Sequence, residues 1–169
     1  MIDQQIQALS FNDRDAEHAA IMALIRAGEP AIQPVIDSFA VSDNKSRIYG
    51  AFILQEIGEP AIPSLVAALN AENTDTRSIC ATTLVGMGAP AVPHLLDALK
   101  CGDSDTRKVK EVIVRIGDPA LSALQAATLD PNPDYAREAD ALIKSIYLSA
   151  QFKAGALNVP QNTTAATTD

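Results

Sequence analysis

The sequence predicts an all-α fold, a right-handed superhelical solenoid of about five stacked helical hairpins. Three observations carry that reading. A short turn recurs as Gly28-Glu29-Pro30-Ala31, Gly58-Glu59-Pro60-Ala61, Gly88-Ala89-Pro90-Ala91 and Gly117-Asp118-Pro119-Ala120, with its glycines 30, 30 and 29 residues apart. Arg47, Arg77, Arg107 and Arg137 follow one another at intervals of 30. The 169 residues are 47% apolar but only 4% aromatic, without tryptophan, so the core must be built from Ala, Leu, Ile and Val. That composition favours helices over a β-sandwich, and a period near 30 marks an array of supersecondary units.

The first unit, 1–27, lacks the Gly-x-Pro entry but keeps the pattern. Ile2, Ile6 and Leu9 match Ile32, Ile36 and Phe39 of the second unit, and a second helix from Asp13 to Ala27 ends at Gly28. The second unit is 28–57. The third, 58–87, shows the design best: Ile62, Leu65, Val66 and Leu69 fall at i, i+3, i+4 and i+7, one face of a helix. The prolines Pro30, Pro34, Pro60, Pro63, Pro90, Pro93 and Pro119 are read as first-turn residues, where the missing N–H has no intrahelical acceptor. The polar stretch 70–75 supplies capping oxygens for a second helix from about Thr76 to Met87, and Gly88 ends that helix as glycine does most easily. The fourth unit, 88–116, is one residue short, a loss assigned between Arg107 and Gly117; Val109, Val112, Ile113 and Ile116 still form a stripe. The fifth, 117–150, has a stiffer loop, Asp130-Pro131-Asn132-Pro133-Asp134, and a final helix to about Ala150. Residues 151–169 are polar and read as a flexible tail.

The run from Asp75 to Pro93, with Asp75-Thr76-Arg77, Ala81, Leu84, Gly88-Ala89-Pro90-Ala91 and Val92-Pro93, resembles the HEAT-like repeats of the phycobilisome-lyase type, and the likeness extends over 1–150. The resemblance implies stacked HEAT-like hairpins. For function it implies either a scaffold or adaptor, or a phycobilin lyase-type subunit or cofactor-assembly factor acting on phycobiliproteins or another apoprotein. The deoxyhypusine hydroxylases resemble the same architecture but carry paired His-Glu dipeptides for a di-iron centre. Here His18 precedes Ala19 and His94 precedes Leu95, so there are no such ligands to carry over and no metal or other cofactor is expected.

Charge and motif content exclude further classes. A net charge of −8 suits neither duplex nor single-stranded nucleic acid, whose binding begins with neutralising phosphates. No run approaches the length of a membrane span, and the first residues lack the character of a secretory signal, so a bacterial cytoplasm is the expected compartment. Gly86-Met87-Gly88-Ala89-Pro90-Ala91 mimics a dinucleotide fingerprint, but a helix precedes it and Pro90 removes a donor. Cys80 shares a core column with Ala20 and Gly50, whereas Cys101 is placed in a loop, so no disulfide joins them. His18 and His94 fall in units too far apart to meet, and no carboxylate is expected to be buried, so no catalytic constellation forms.

Two sets of residues remain. Arg47, Asp75, Arg77, Asp105, Arg107 and Arg137 read as a structural ladder, with Asp capping a helix start and Arg reaching the Asp of the adjacent unit. Glu17 stands in place of the first Arg and Lys45 in place of the second Asp. The second helices line the concave face, and its partner-binding residues are expected to be Met22, Ile48, Phe52, Gln55, Thr82 and Val85, with a basic end at Lys108 and Arg115. The expected partner is another protein with an apolar spot for Phe52 and an acidic group for Lys108; packing of Phe52 between neighbouring second helices is the competing reading.

Overall fold

A computed structural model describes residues 1–11, 13–101 and 106–153. The described residues contain ten α-helices and no strand: α1 (Ile2–Ala8), α2 (Arg14–Ala27), α3 (Glu29–Ser38), α4 (Asn44–Ile57), α5 (Ile62–Ala67), α6 (Thr74–Met87), α7 (Ala91–Cys101), α8 (Thr106–Ile116), α9 (Leu121–Ala127) and α10 (Pro133–Lys153). Short 3-10 turns lead into α5 and α9 and follow α5. Consecutive helices pair as hairpins, α1 with α2 through α9 with α10. The even helices also touch in sequence, α2 on α4, α4 on α6, α6 on α8 and α8 on α10, and α1, α3, α5 and α7 do the same.

The hairpins meet at four glycines with φ between 64° and 81°: Gly28, Gly58, Gly88 and Gly117. Each closes the preceding helix with its N–H, Gly58 to the Leu54 carbonyl for instance, and its own carbonyl accepts from the residue three on, as from Ala61. One residue thus ends one helix and starts the next. Their φ, with ψ near −135°, is a backbone region essentially closed to side-chain-bearing residues. Pro34 departs from the first-turn reading. It is the sixth residue of α3 and costs that helix one backbone bond.

Loop polar groups cap the second helices. Asp13 accepts from the Asp15 and Ala16 N–H groups, Asp43 from Ser46 and Asn73 from Thr76, while Asn132 accepts from Asp134 and Tyr135. The cap of α6 is therefore Asn73 and not Asp75, because the helix begins at Thr74, two residues before the predicted start. The last helix passes the expected end at Ala150 and includes 151–153, the beginning of the segment read as a tail; the remainder, 154–169, lies outside the described residues.

The core runs unbroken from Leu9 to Ile146 along the shared interior of the hairpins. One column fixes its register: Ala20, Gly50, Cys80, Val109 and Ala139, all buried. From Gly50 to Cys80 is 30 residues but from Cys80 to Val109 only 29, while Leu69 and Leu99 are still 30 apart. The missing residue of the fourth unit therefore lies between Leu99 and Val109, and since α8 is one unbroken helix from Thr106 it lies ahead of Arg107, upstream of its predicted place. The consequence falls on the arginines. Arg47 and Arg77 stand three residues before their buried column residue, and Arg107 and Arg137 only two. One residue turns a helix by about 100°, so Arg107 and Arg137 occupy a different helix face from Arg47 and Arg77, despite the even spacing.

Candidate functional site

Within each hairpin the arginine column does something that its spacing did not reveal. Arg47 donates from Nε to the Phe39 carbonyl at 2.8 Å, and Arg77 donates from Nη1 to the carbonyls of Ala71 and Glu72 at 2.7 and 2.6 Å. Both satisfy backbone acceptors left open where the first helix of their own hairpin ends. Between hairpins, Arg47 also reaches Asp75 at 2.8 Å, the rung predicted for the ladder. Arg137 does not continue it. Turned to the outer face, it pairs with Asp134 of its own helix, and both are largely exposed. The counterpart of the Arg77 rung falls in 102–105, so Asp105 lies outside the described residues.

The two irregular ladder positions meet each other. Lys45 Nζ lies 2.5 Å from Glu17 Oε1, and the Tyr49 hydroxyl donates to Glu17 Oε2 at 3.1 Å. Glu17 occupies the column of Arg47, and Lys45 that of Asp75, so the first rung is the second with its charges exchanged. The Lys45 hydrogen bond holds the Glu17 carboxyl below its ordinary pKa despite burial, and Glu17 in turn raises Lys45. Glu17 is a buried carboxylate where none was expected. Its neighbours are a cation and a phenol within the hairpin interface, and this arrangement ties two units together.

The outer side of the even helices carries the residues chosen from the sequence. Met22 on α2 and Ile48 and Phe52 on α4 are 37%, 64% and 46% exposed, and Ile48 lines the groove between α4 and α6. Phe52 is thus only partly covered by its neighbours. Thr82 is exposed on α6, while Val85 is half-buried at the core margin. Gln55 is exposed, yet its amide donates across to the Thr83 carbonyl of the next unit at 3.5 Å, over Gly86. Lys108 is half-buried and donates to the Leu69 carbonyl at 3.4 Å, so its ammonium lies against the preceding unit. Arg115 is exposed, with Nη2 3.5 Å from Thr82 Oγ1.

A groove of about 530 Å³ lies between α8 and α10. Arg107, Lys110 and Arg115 line it together with Val114, Ala141 and Leu142, and Lys110 forms an ion pair with Glu138 across it. The composition of α8 alone signals this feature: four of its eleven residues are basic and one is acidic, a local +3 in a chain of −8. Lys108 and Arg115 are legible as a basic end in the sequence, but Lys110 and Arg107 are not legible as groove residues, because the even 30-residue spacing of the arginines hides the one-residue shift of α8.

Among the described residues neither histidine is bonded to a nucleophile: His18 is exposed on α2 and His94 half-buried on α7. Among the described residues no group of three His, Cys, Asp or Glu side chains could hold a metal ion. No single described helix is long and apolar enough to cross a membrane. Both cysteines are free. Burial pushes the Cys80 thiol up to about 12, whereas Cys101 ends α7 and is exposed rather than sitting in a loop. Since the thiolate is the reactive form, one thiol per chain is expected to react with a disulfide-exchange reagent at pH 8 in native buffer, and two in denaturant. Two fast-reacting thiols in the native protein would contradict the burial of Cys80.

No protein-family model matches this sequence, and no curated protein matches it.

Proposed function

We propose that this chain is a non-catalytic protein-interaction scaffold, a right-handed solenoid of HEAT-like hairpins that grips a partner protein along the outer side of its second helices. The observation that carries the reading is the exposure of three large apolar side chains on two helices that touch, Met22 on α2 and Ile48 and Phe52 on α4. These side chains are not needed to close the core, whose column residues are already buried beneath them, and an apolar patch in this position is the usual mark of an interaction site. The sequential packing of even helices on even helices supports the solenoid, since each hairpin buries its apolar face only against its neighbours.

The test compares the wild-type chain with the Ile48→Asp/Phe52→Asp variant as bait in native extract. A stoichiometric, colourless protein retained by the wild type and lost by a variant of unchanged helicity and melting temperature is the expected result. Equal retention by the variant removes the apolar surface from the reading. A retained fraction with bilin absorption would assign the chain instead to chromophore attachment on phycobiliproteins.

A further inference from the structure

The α8–α10 groove differs in chemistry from the apolar surface at the other end of the same side. It is lined by the apolar Val114, Ala141 and Leu142 and by the charged Arg107, Lys110, Arg115, Glu111 and Glu138. The +3 of α8 stands out in a chain of −8, and the groove lining carries three cations against two carboxylates. The groove also displays one carboxylate recognition of its own: Glu138 already engages Lys110 across it. Arg115 is exposed, with a long bond to Thr82, and a guanidinium takes a carboxylate in a bidentate fork. Arg107, which keeps an interaction within the protein, stands eight residues away, about 12 Å along the helix at 1.5 Å per residue.

We propose that the α8–α10 groove is the docking site for an acidic amphipathic helix of the partner protein, one that presents carboxylates about two turns apart with an apolar side chain between them. The carboxylates meet Arg115 and the Arg107 end of α8, and the apolar side chain settles between Val114 and Leu142. Lys110 stays with Glu138. The inference rests on the scaffold reading and names the chemistry of what that scaffold holds at its basic end.

The experiment uses the full chain and a fluorescein-labelled synthetic helical peptide with Glu at positions i and i+8 and Leu at i+4. Its controls are the same peptide with Gln for Glu and a twelve-residue oligothymidylate. Anisotropy at low and at 0.5 M salt gives affinity, and amide shifts of the labelled protein give location. The expected result is binding that weakens with salt, shifts confined to α8 and α10, and a loss of at least about tenfold with Arg115→Glu but not with Phe52→Asp. Arg115→Gln, expected to weaken binding less than Arg115→Glu, covers any folding defect of the reversal, and helicity and melting are measured for each variant. Equal binding of the Gln peptide, or tighter binding of the oligothymidylate, overturns the proposal. Peptide binding lost with Phe52→Asp and untouched by Arg115→Glu overturns it too, while leaving the scaffold reading intact. Failure of the Ile48→Asp/Phe52→Asp test above, with peptide binding preserved, removes the apolar surface and not this groove.

Discussion

Gly50→Ala is expected to destabilise the protein by about 1–3 kcal/mol, as overpacking of a filled core does, although alanine is intrinsically the better helix residue by up to about 1 kcal/mol. A Cβ at Gly50 would lie 2.5 Å from Phe39 Cε1 and 3.1 Å from Val35 Cγ1. Phe39 is completely buried, so its ring has no solvent side into which to move. The neighbouring units show the alternative solution. Where the second unit has Phe39 with Gly50, the first has Leu9 with Ala20 and the third Leu69 with Cys80. Bulk removed from one column is added in the other. Phe39→Leu alone leaves a void over Gly50 and also destabilises. In the Phe39→Leu background, however, Gly50→Ala is expected to change sign and become stabilising, because the methyl then fills space and the helix gains propensity. Urea denaturation of the four proteins in this cycle measures the coupling. An additive outcome would mean that the two side chains do not share the space between α3 and α4.

The second large effect concerns the exchanged charges. Glu17→Lys and Lys45→Glu are each expected to lower the melting temperature by several degrees, since each places like charges face to face with one of them buried. The double exchange, Glu17→Lys with Lys45→Glu, is expected to recover most of the loss, because it recreates at the first interface the charge order that Arg47 and Asp75 use at the second. The exchange also distinguishes the interfaces. If the first hairpin stacked on the third, Glu17 would face Asp75, so the natural order opposes a skipped unit. The acid limb follows from the same pair. Glu17 titrates below its ordinary value of 4.5 in the folded chain, so its contribution is whole above that pH and is lost as pH falls through the folded value. Lys45 titrates above 10.5, so its contribution is whole below that pH and is lost as pH rises through the folded value. Lys45→Met, which removes the partner, is expected to flatten the acid dependence of melting below pH 4.5. An unchanged acid limb would show that other carboxylates govern it.

The charge exchange was visible in the sequence as two irregular residues but not as a pair. Glu17 and Lys45 looked like breaks in a column, each at a different position of its own unit. Only stacking shows that the position of Glu17 in one unit faces that of Lys45 in the next. The burial of Glu17 was illegible for the same reason: a carboxylate is placed inside when its partner comes from another hairpin. The exposure of Met22, Ile48 and Phe52 was legible, because residues four apart on one helix, and equivalent residues on the next, share a side whenever the repeat is regular.

What the sequence determined by itself was the all-α class and the succession of paired helices. Both depend on local chemistry, namely apolar spacing within one helix, side-chain caps in the loops, and glycines where φ must be positive. What the tertiary structure decided was rotation. Arg107 and Arg137 keep the 30-residue spacing of Arg47 and Arg77, yet their buried neighbours Val109 and Ala139 set their helices one residue differently. A count along the chain fixes distance in sequence, whereas the side of a helix that meets solvent is fixed by which residues the adjoining hairpin buries. That packing presents Arg107, Lys110 and Arg115 together along one groove and turns Lys108 against the preceding unit.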